Sequence, residues 1–229
     1  MIEIVFVRHA QPDWEPGGRA RDEPELTELG RAQAERVAAA LAAQSFDAHH
    51  VSPLLRARET AAPVEKALGL AAQVEPWLAE IRLRPLEGAP LDEVQKYFAR
   101  MRLRDLDEWW NGMEGGESFR HFHERVTTGV DELLGARVGA RRAGQGAHKL
   151  WSLPPADARL LVTAHGGSIA VMLGHLLGIE PVAFEPERFR VGWAGITRLR
   201  SVPVSSGHIF ALESFNARAH LVGLPDPPG

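Results

Sequence analysis

Cysteine is absent from the 229-residue chain, which excludes disulfide bonds, thiolate metal sites and a cysteine nucleophile. Lysine is scarce: of 26 basic residues only Lys66, Lys96 and Lys149 are lysines. The rest are arginines, whose planar forks suit phosphate and carboxylate oxygens, although genome composition is the plain account of most of them. Positive charge is not in excess. A net charge of -4 argues against a general nucleic-acid binder, whose domain would be basic. No apolar run reaches the length of a membrane span. Neither a phosphate-binding P-loop nor a Gly-x-Ser-x-Gly elbow occurs, so those two routes to catalysis lack support. Residues 1–7 have no basic leader-like start, and the expectation is a cytoplasmic protein.

What is present is ordinary for a globular protein, with 45% hydrophobic and 24% charged residues. A chain of this length can bury roughly 70–75% of its unfolded surface, so it needs no staples. Residues 2–7 form an apolar β-branched run that reads as a buried strand. A Pro- and Gly-rich loop follows to about Glu25. Thr27 then caps a helix over 28–43. A strand over 48–51 leads to Ser52-Pro53, which reads as an N-cap followed by the first helical residue, and Gly69 suits the stop of that helix. Residues 90–139 read as helical, with a second helix starting after Gly115-Gly116. Residues 139–158 read as a long loop. A strand over 159–164 ends at His165-Gly166-Gly167 and feeds a helix over 168–177. Strands near 191–200 and 208–213 close the chain, before a frayed tail at 225–229. Alternating strands and helices predict a three-layer α/β/α sandwich with a mostly parallel central sheet. It would be a single domain over 1–229, with a helical side insert at about 90–139.

Two strands end in polar residues: Val7 in Arg8-His9, and Ala164 in His165-Gly166-Gly167. Ligands of open α/β sheets sit outside the carboxyl ends of strands. Either histidine alone is compatible with a structural role; together, with Arg8 beside one of them, they point to a site. Gly166-Gly167 would leave helix-start amides open to an anion, or simply allow a tight turn. Arg56 lies in the first turns of a helix, where the dipole disfavours a cation unless an anion is near. A surface ion pair with Glu59 is the alternative. His49-His50 reads as surface at a strand edge. His121 and His123, two apart on a helix, do not share a face and make a poor metal pair. Trp109-Trp110 reads as core packing in preference to a pocket wall. Glu80 alone reads as an exposed carboxylate.

Taken in order, these segments resemble the histidine phosphatase superfamily, also called the phosphoglycerate mutase-like family. Arg8-His9-Ala10-Gln11-Pro12-Asp13-Trp14 is similar to its Arg-His-Gly opening. Residues 26–34, the Ser52-Pro53-Leu54-Leu55-Arg56-Ala57 block, Glu80 with Leu86-Glu87-Gly88, Gly116-Glu117-Ser118, residues 163–167 and residues 215–221 resemble later blocks. The resemblance implies phosphoryl transfer without metal or cofactor. It implies His9 as nucleophile, Arg8, Arg56, His165 and Gly166 as phosphate holders, and Glu80 as general acid and base. Gln11, Glu15, Glu117 and Ser118 would line the substrate pocket. Two positions depart from the pattern: Ala10 stands where glycine is usual, and Glu15 where asparagine is frequent. The leading expectation is a phosphatase acting on a small phosphate ester, without a nucleic-acid or membrane partner. A phosphoglycerate mutase using the same residues is the alternative, and a catalytically inactive binding protein the third. A homodimer is compatible with all three.

Overall fold

In the computed structural model, which describes residues 1–143 and 150–225, a twisted sheet separates two helical layers. Lys149 and the tail beyond Pro225 lie outside the described residues. The sheet has eight strands in the order β3-β2-β6-β1-β7-β8-β5-β4. These are β1 (Ile2–Arg8), β2 (Ala48–Val51), β3 (Ala72–Val74), β4 (Arg141–Arg142), β5 (Trp151–Ser152), β6 (Ala158–Ala164), β7 (Ile196–Val204) and β8 (Gly207–Ala217). Only the half formed by β3, β2, β6 and β1 is parallel; β7, β8, β5 and β4 continue it antiparallel. The expected mostly parallel sheet is therefore half parallel. The difference arises from short connections: β7 returns to β8 through a tight turn, which only antiparallel neighbours allow.

Alternation along β1 sets the layers. Ile2, Ile4 and Phe6 point to one face and pack with α5 (Phe119–Val138) and α6 (Gly166–Leu176). Val5 and Val7 point to the other, against α1 (Glu28–Leu41) and α2 (Leu55–Leu68). Every side chain from Ile2 to Val7 is buried, as expected for a central strand. The Thr27 hydroxyl accepts from the Gly30 amide to cap α1, and Gly69 takes the left-handed conformation that ends α2.

The segment expected to be a side insert divides in two. Helix α5 belongs to the main core through Phe122, Val126, Val130 and Leu134. Helix α3 (Leu91–Arg102) stands aside, whereas the single turn α4 (Leu106–Trp109) reaches the core through Trp109. Trp109 and Trp110 pack against the main core, as the packing reading expected. The expected loop at 139–158 contains β4 and β5, which extend the sheet edge beyond β8. Strands β7 and β8 begin or end several residues from their expected bounds.

Helix α2 starts at Leu55, and Leu54 occupies its N-cap position. The expected cap, Ser52, is engaged elsewhere. His49 and His50 are not at a surface edge: β2 lies between β3 and β6, and both side chains are buried. His49 Nε2 meets the Thr163 hydroxyl at 2.9 Å, and His50 Nδ1 meets Glu75 Oε1 at 2.9 Å. No helix among the described residues is long and apolar enough to cross a membrane.

Candidate functional site

The carboxyl ends of β1 and β6 are paired, with Arg8 opposite Ala164, so the residues that follow each strand emerge side by side. His9 donates its amide to the Ala164 carbonyl at 2.8 Å and accepts from the Ala194 amide at 3.2 Å. This brings the His9 and His165 rings to 5.1 Å between centroids, tilted by 55°. His9 Nδ1 lies 2.8 Å from the Ala10 carbonyl. A carbonyl only accepts, so Nδ1 carries the proton and Nε2 keeps the lone pair. An imidazole held this way is a competent nucleophile. His165 caps α6, its amide bonds to the Ser168 hydroxyl at 3.2 Å, and its Nε2 meets the Ser52 hydroxyl at 2.6 Å.

Both rings are held neutral. Burial, then the Arg8 and Arg56 charges, lower the His9 pKa well below its usual value, against the opposing Ala10 bond. Burial lowers that of His165 in the same way, followed by His9, Arg56, Arg8 and Arg125.

Arg56 enters from the first turn of α2 and is only 4% exposed. Trp14 stacks on its face, with the guanidinium carbon 4.7 Å from the ring centroid. Thr60 ties this helix to the His9 loop: its hydroxyl donates to the Arg56 carbonyl and accepts from the Ala10 amide. Arg8 donates through Nη1 to the Val191 carbonyl. Buried Arg8 Nε, Arg56 Nε and Arg56 Nη1 have no hydrogen-bond partner among the described residues, and Glu23 stays 3.8 Å from Arg56 Nη1. Buried guanidinium N–H groups without partners are costly in isolation. Beside two neutral imidazoles they form a cradle that suits a multiply charged oxyanion.

Glu80 brings a carboxyl group to the same place. It follows a 3-10 turn at Pro76–Leu78, and its Oε2 accepts from the Gly167 amide at 2.8 Å while Oε1 accepts from the Ile81 amide at 3.0 Å. A Cβ on Gly167 would lie 2.2 Å from Glu80 Oε1, so this approach requires glycine. A Cβ on Gly166 would make only ordinary contact, 3.5 Å from the Arg8 guanidinium. A cavity of about 440 Å³ opens from Arg8, Glu80, Gly166 and Gly167 toward Phe189, Arg190, Val191 and Gly192. Asn216 holds its rim by accepting from the Gly192 amide at 2.9 Å.

The structure thus brings together His9, His165, Arg8, Arg56, Glu80 and Gly166. The four expected pocket residues are not among those lining this cavity, and neither are His9, His165 and Arg56. Gln11 is buried, its side-chain Oε1 accepting from the Thr27 hydroxyl at 2.8 Å. Glu15 is exposed at the start of a 3-10 turn. Glu117 is buried against Arg125, and Ser118 caps α5 by accepting from the His121 amide. Ala10 is fully buried among Val5, Val7 and Ala34, which shows that the extra methyl is accommodated. Sequence reasoning missed Ser52 as the partner of His165, Gly167 as the seat for Glu80, and Trp14 as the cover on Arg56. Only Gly167 carried a local signal, the paired glycines after a strand. No group of three or more metal-ligating side chains occurs among the described residues.

The histidine phosphatase superfamily (branch 1) profile matches residues 4–205. A Yersinia enterocolitica protein named as a probable phosphoglycerate mutase, GpmB, is 26% identical over 96% of this chain and 95% of its own length. The structure of a mycobacterial glucosyl-3-phosphoglycerate phosphatase superposes with a TM-score of 0.71 at 28% identity, covering 94% of this chain and 99% of that one. An Entamoeba histolytica phosphoserine phosphatase shares the fold, with a TM-score of 0.67 at 22% identity over 97% of this chain and 100% of that one.

Proposed function

Given that the chain belongs to the histidine phosphatase superfamily, we propose that it is a phosphomonoesterase working through a phosphohistidine on His9. The observation that carries this is the cradle: two imidazoles held neutral, 5.1 Å apart, flanked by buried guanidinium N–H groups that have no partner among the described residues. Phosphoryl transfer spreads charge over the equatorial oxygens, so catalysis is mostly positioning and electrostatics. Arg8 and Arg56 supply the positive charge, and His165 lines the same cradle. His9 Nε2 attacks phosphorus as the bond to the ester oxygen breaks. Glu80, entering as the acid, gives its proton to that oxygen, and the alcohol leaves. Its carboxylate then takes a proton from water, whose oxygen attacks phosphorus as the P–N bond breaks. Inorganic phosphate, neutral His9 and protonated Glu80 are restored. The mycobacterial phosphatase has been solved with inorganic phosphate and with VO3, so a protein of this fold takes up oxyanions of the kind proposed here.

The test is turnover of an aryl phosphate with chelator present, together with alkaline detergent quenching of a reaction with radiolabelled substrate, followed by acid treatment of the recovered protein. A chelator-insensitive rate and an acid-labile adduct that is lost in His9→Ala are expected. Turnover without an adduct, or an adduct that survives His9→Ala, overturns the proposal. The relation to GpmB supports a second reading, in which the phosphoryl group passes from His9 to a product hydroxyl. Hydrolysis predicts primer-independent release of inorganic phosphate from the aryl ester; activity only with 3-phosphoglycerate plus a bisphosphate primer makes the protein a mutase.

A further inference from the structure

Arg125 and Glu117 lie outside the cavity, yet both ends of the segment carrying Glu80 are fastened to them. Arg125 Nη1 donates to the Trp77 carbonyl at 2.8 Å and to the Ala79 carbonyl at 3.0 Å, on the N-terminal side of Glu80. Its Nε and Nη2 form a fork on the Glu117 carboxylate, at 3.0 and 2.8 Å. Glu117 in turn accepts from the Arg82 amide at 3.2 Å and donates its own amide to the Arg82 carbonyl at 2.7 Å, on the C-terminal side. Gly116 permits this approach, because a Cβ there would stand 2.7 Å from the Arg82 carbonyl oxygen. Both side chains are largely buried, with 1% exposure for Glu117 and 19% for Arg125.

Burial by itself would raise the Glu117 pKa. The bonds and charge of Arg125, with the Arg82 amide and His121, outweigh it and hold the carboxyl below its usual range. Glu117 is therefore ionised at neutral pH and the fork is charge-assisted on both sides. Helix α5 is anchored in the main core by Phe122 and Val126, on either side of the turn that carries Arg125. Residues 79–82 have no helix or strand of their own. The core helix thus extends its rigidity, through one guanidinium and one carboxylate, to a loop whose backbone would otherwise be free to move.

We propose that Glu117 and Arg125 are positioning residues that set the Glu80 carboxyl at the distance from the cradle needed for proton transfer. This rests on Glu80 acting as the acid, as argued above. A misplaced acid slows an ester whose alkoxide leaves poorly far more than one whose phenolate leaves well. The experiment compares kcat on an alkyl phosphate and on 2,4-dinitrophenyl phosphate for wild type, Glu80→Gln, Arg125→Met, Arg125→Lys, Glu117→Gln and the Glu80→Gln/Arg125→Met double variant.

Arg125→Met is expected to slow the alkyl ester about tenfold or more, with little effect on the aryl ester, and Arg125→Lys to recover part of the loss. The double variant should be no slower than Glu80→Gln alone, because both changes act through one group. Equal slowing of both esters by Arg125→Met, or additivity in the double variant, overturns the positioning role. If Arg125→Met does not fold, Glu117→Gln, which keeps the shape and weakens the fork, is read against the same two criteria. If Glu80→Gln itself slows both esters equally, the acid assignment has failed and the positioning proposal falls with it. If only the Arg125 and Glu117 variants fail their criteria, the acid assignment stands.

Discussion

Two pairs of buried histidines sit in one sheet, and only one of them has the surroundings of a reaction site. His9 and His165 follow the ends of β1 and β6; His49 and His50 lie within β2 beside them. All four pKa values are lowered, with burial as the leading cause. Burial and a depressed pKa therefore do not distinguish the pairs. Their partners do. His49 and His50 face the Thr163 hydroxyl and the Glu75 carboxylate. His9 and His165 face guanidinium groups with unspent N–H donors. Unpartnered nitrogens alone do not divide them, because His49 Nδ1 and His50 Nε2 are also buried without a partner among the described residues; what sets the first pair apart is two buried cations against neutral rings, which costs folding free energy unless an anion arrives.

The sharpest way to break the comparison is to remove one ring from each pair. His9→Ala should reduce turnover on the order of 10⁴-fold or more while the fold stays intact. His49→Ala should do the reverse, lowering stability by about 2–4 kcal/mol with kcat per folded molecule little changed. Aryl phosphate kinetics and urea unfolding on both variants decide it. A His9→Ala variant with near-normal turnover, or a His49→Ala variant that folds well and is inactive, would collapse the distinction.

Acid separates the pairs more gently. Burial and then the His50 charge bring the His49 pKa from 6.5 to about 4. The folded ring is neutral over that range, whereas the unfolded ring takes up a proton below its ordinary pKa. Stability is thus complete above pH 6.5 and is lost as pH falls toward 4, by about 3 kcal/mol from this residue. His9 and His165 act with the same sign. Millimolar inorganic phosphate should offset their contribution by binding the cradle, and leave that of His49 untouched. Unfolding curves from pH 7 to 4, with and without phosphate, in wild type and His49→Asn, measure the split. A wild-type curve insensitive to phosphate at every pH would contradict the cradle.

The two adjacent glycines after β6 give a finer contrast. Gly167→Ala places a methyl on the Glu80 carboxylate and should slow an alkyl phosphate by roughly tenfold. Gly166→Ala meets only the flank of Arg8 at ordinary distance and should stay near wild type. Steady-state kinetics on both esters test this; equal effects would mean that Glu80 is not seated as described.

How much of this was legible in the chain follows from how local each signal is. Strand β1, helix α1 and the β6-to-α6 turn announce themselves through apolar runs, a threonine cap and paired glycines. The convergence of His9 and His165 followed from strand ends, because parallel neighbours bring their carboxyl ends together. Ser52 was misread because Ser-Pro before a helix is a sound local rule, and its real partner is 113 residues away. His49 and His50 were misread because a four-residue strand does not reveal what pairs on either side of it. Glu80 has no periodic signal at all: it sits in irregular backbone whose place is fixed by α5, and only the family resemblance singled it out.

The smallest expected effect tests whether a hydroxyl beside a histidine matters differently in the two pairs. Ser52 meets His165 at 2.6 Å and Thr163 meets His49 at 2.9 Å. Ser52→Ala and Thr163→Val each leave a buried ring nitrogen without its hydroxyl, at about 1–3 kcal/mol of stability. Stability alone cannot tell them apart. Ser52 also holds the ring that lines the cradle, so its loss frees His165 to tilt and should shift the pH dependence of kcat/KM along with a few-fold loss of rate. Thr163→Val perturbs a ring two residues before the end of its strand pairing and should leave that profile in place. If both variants move the profile alike, the sheet couples the two pairs, and the division between structural and reactive histidines has to be drawn through the whole set of four.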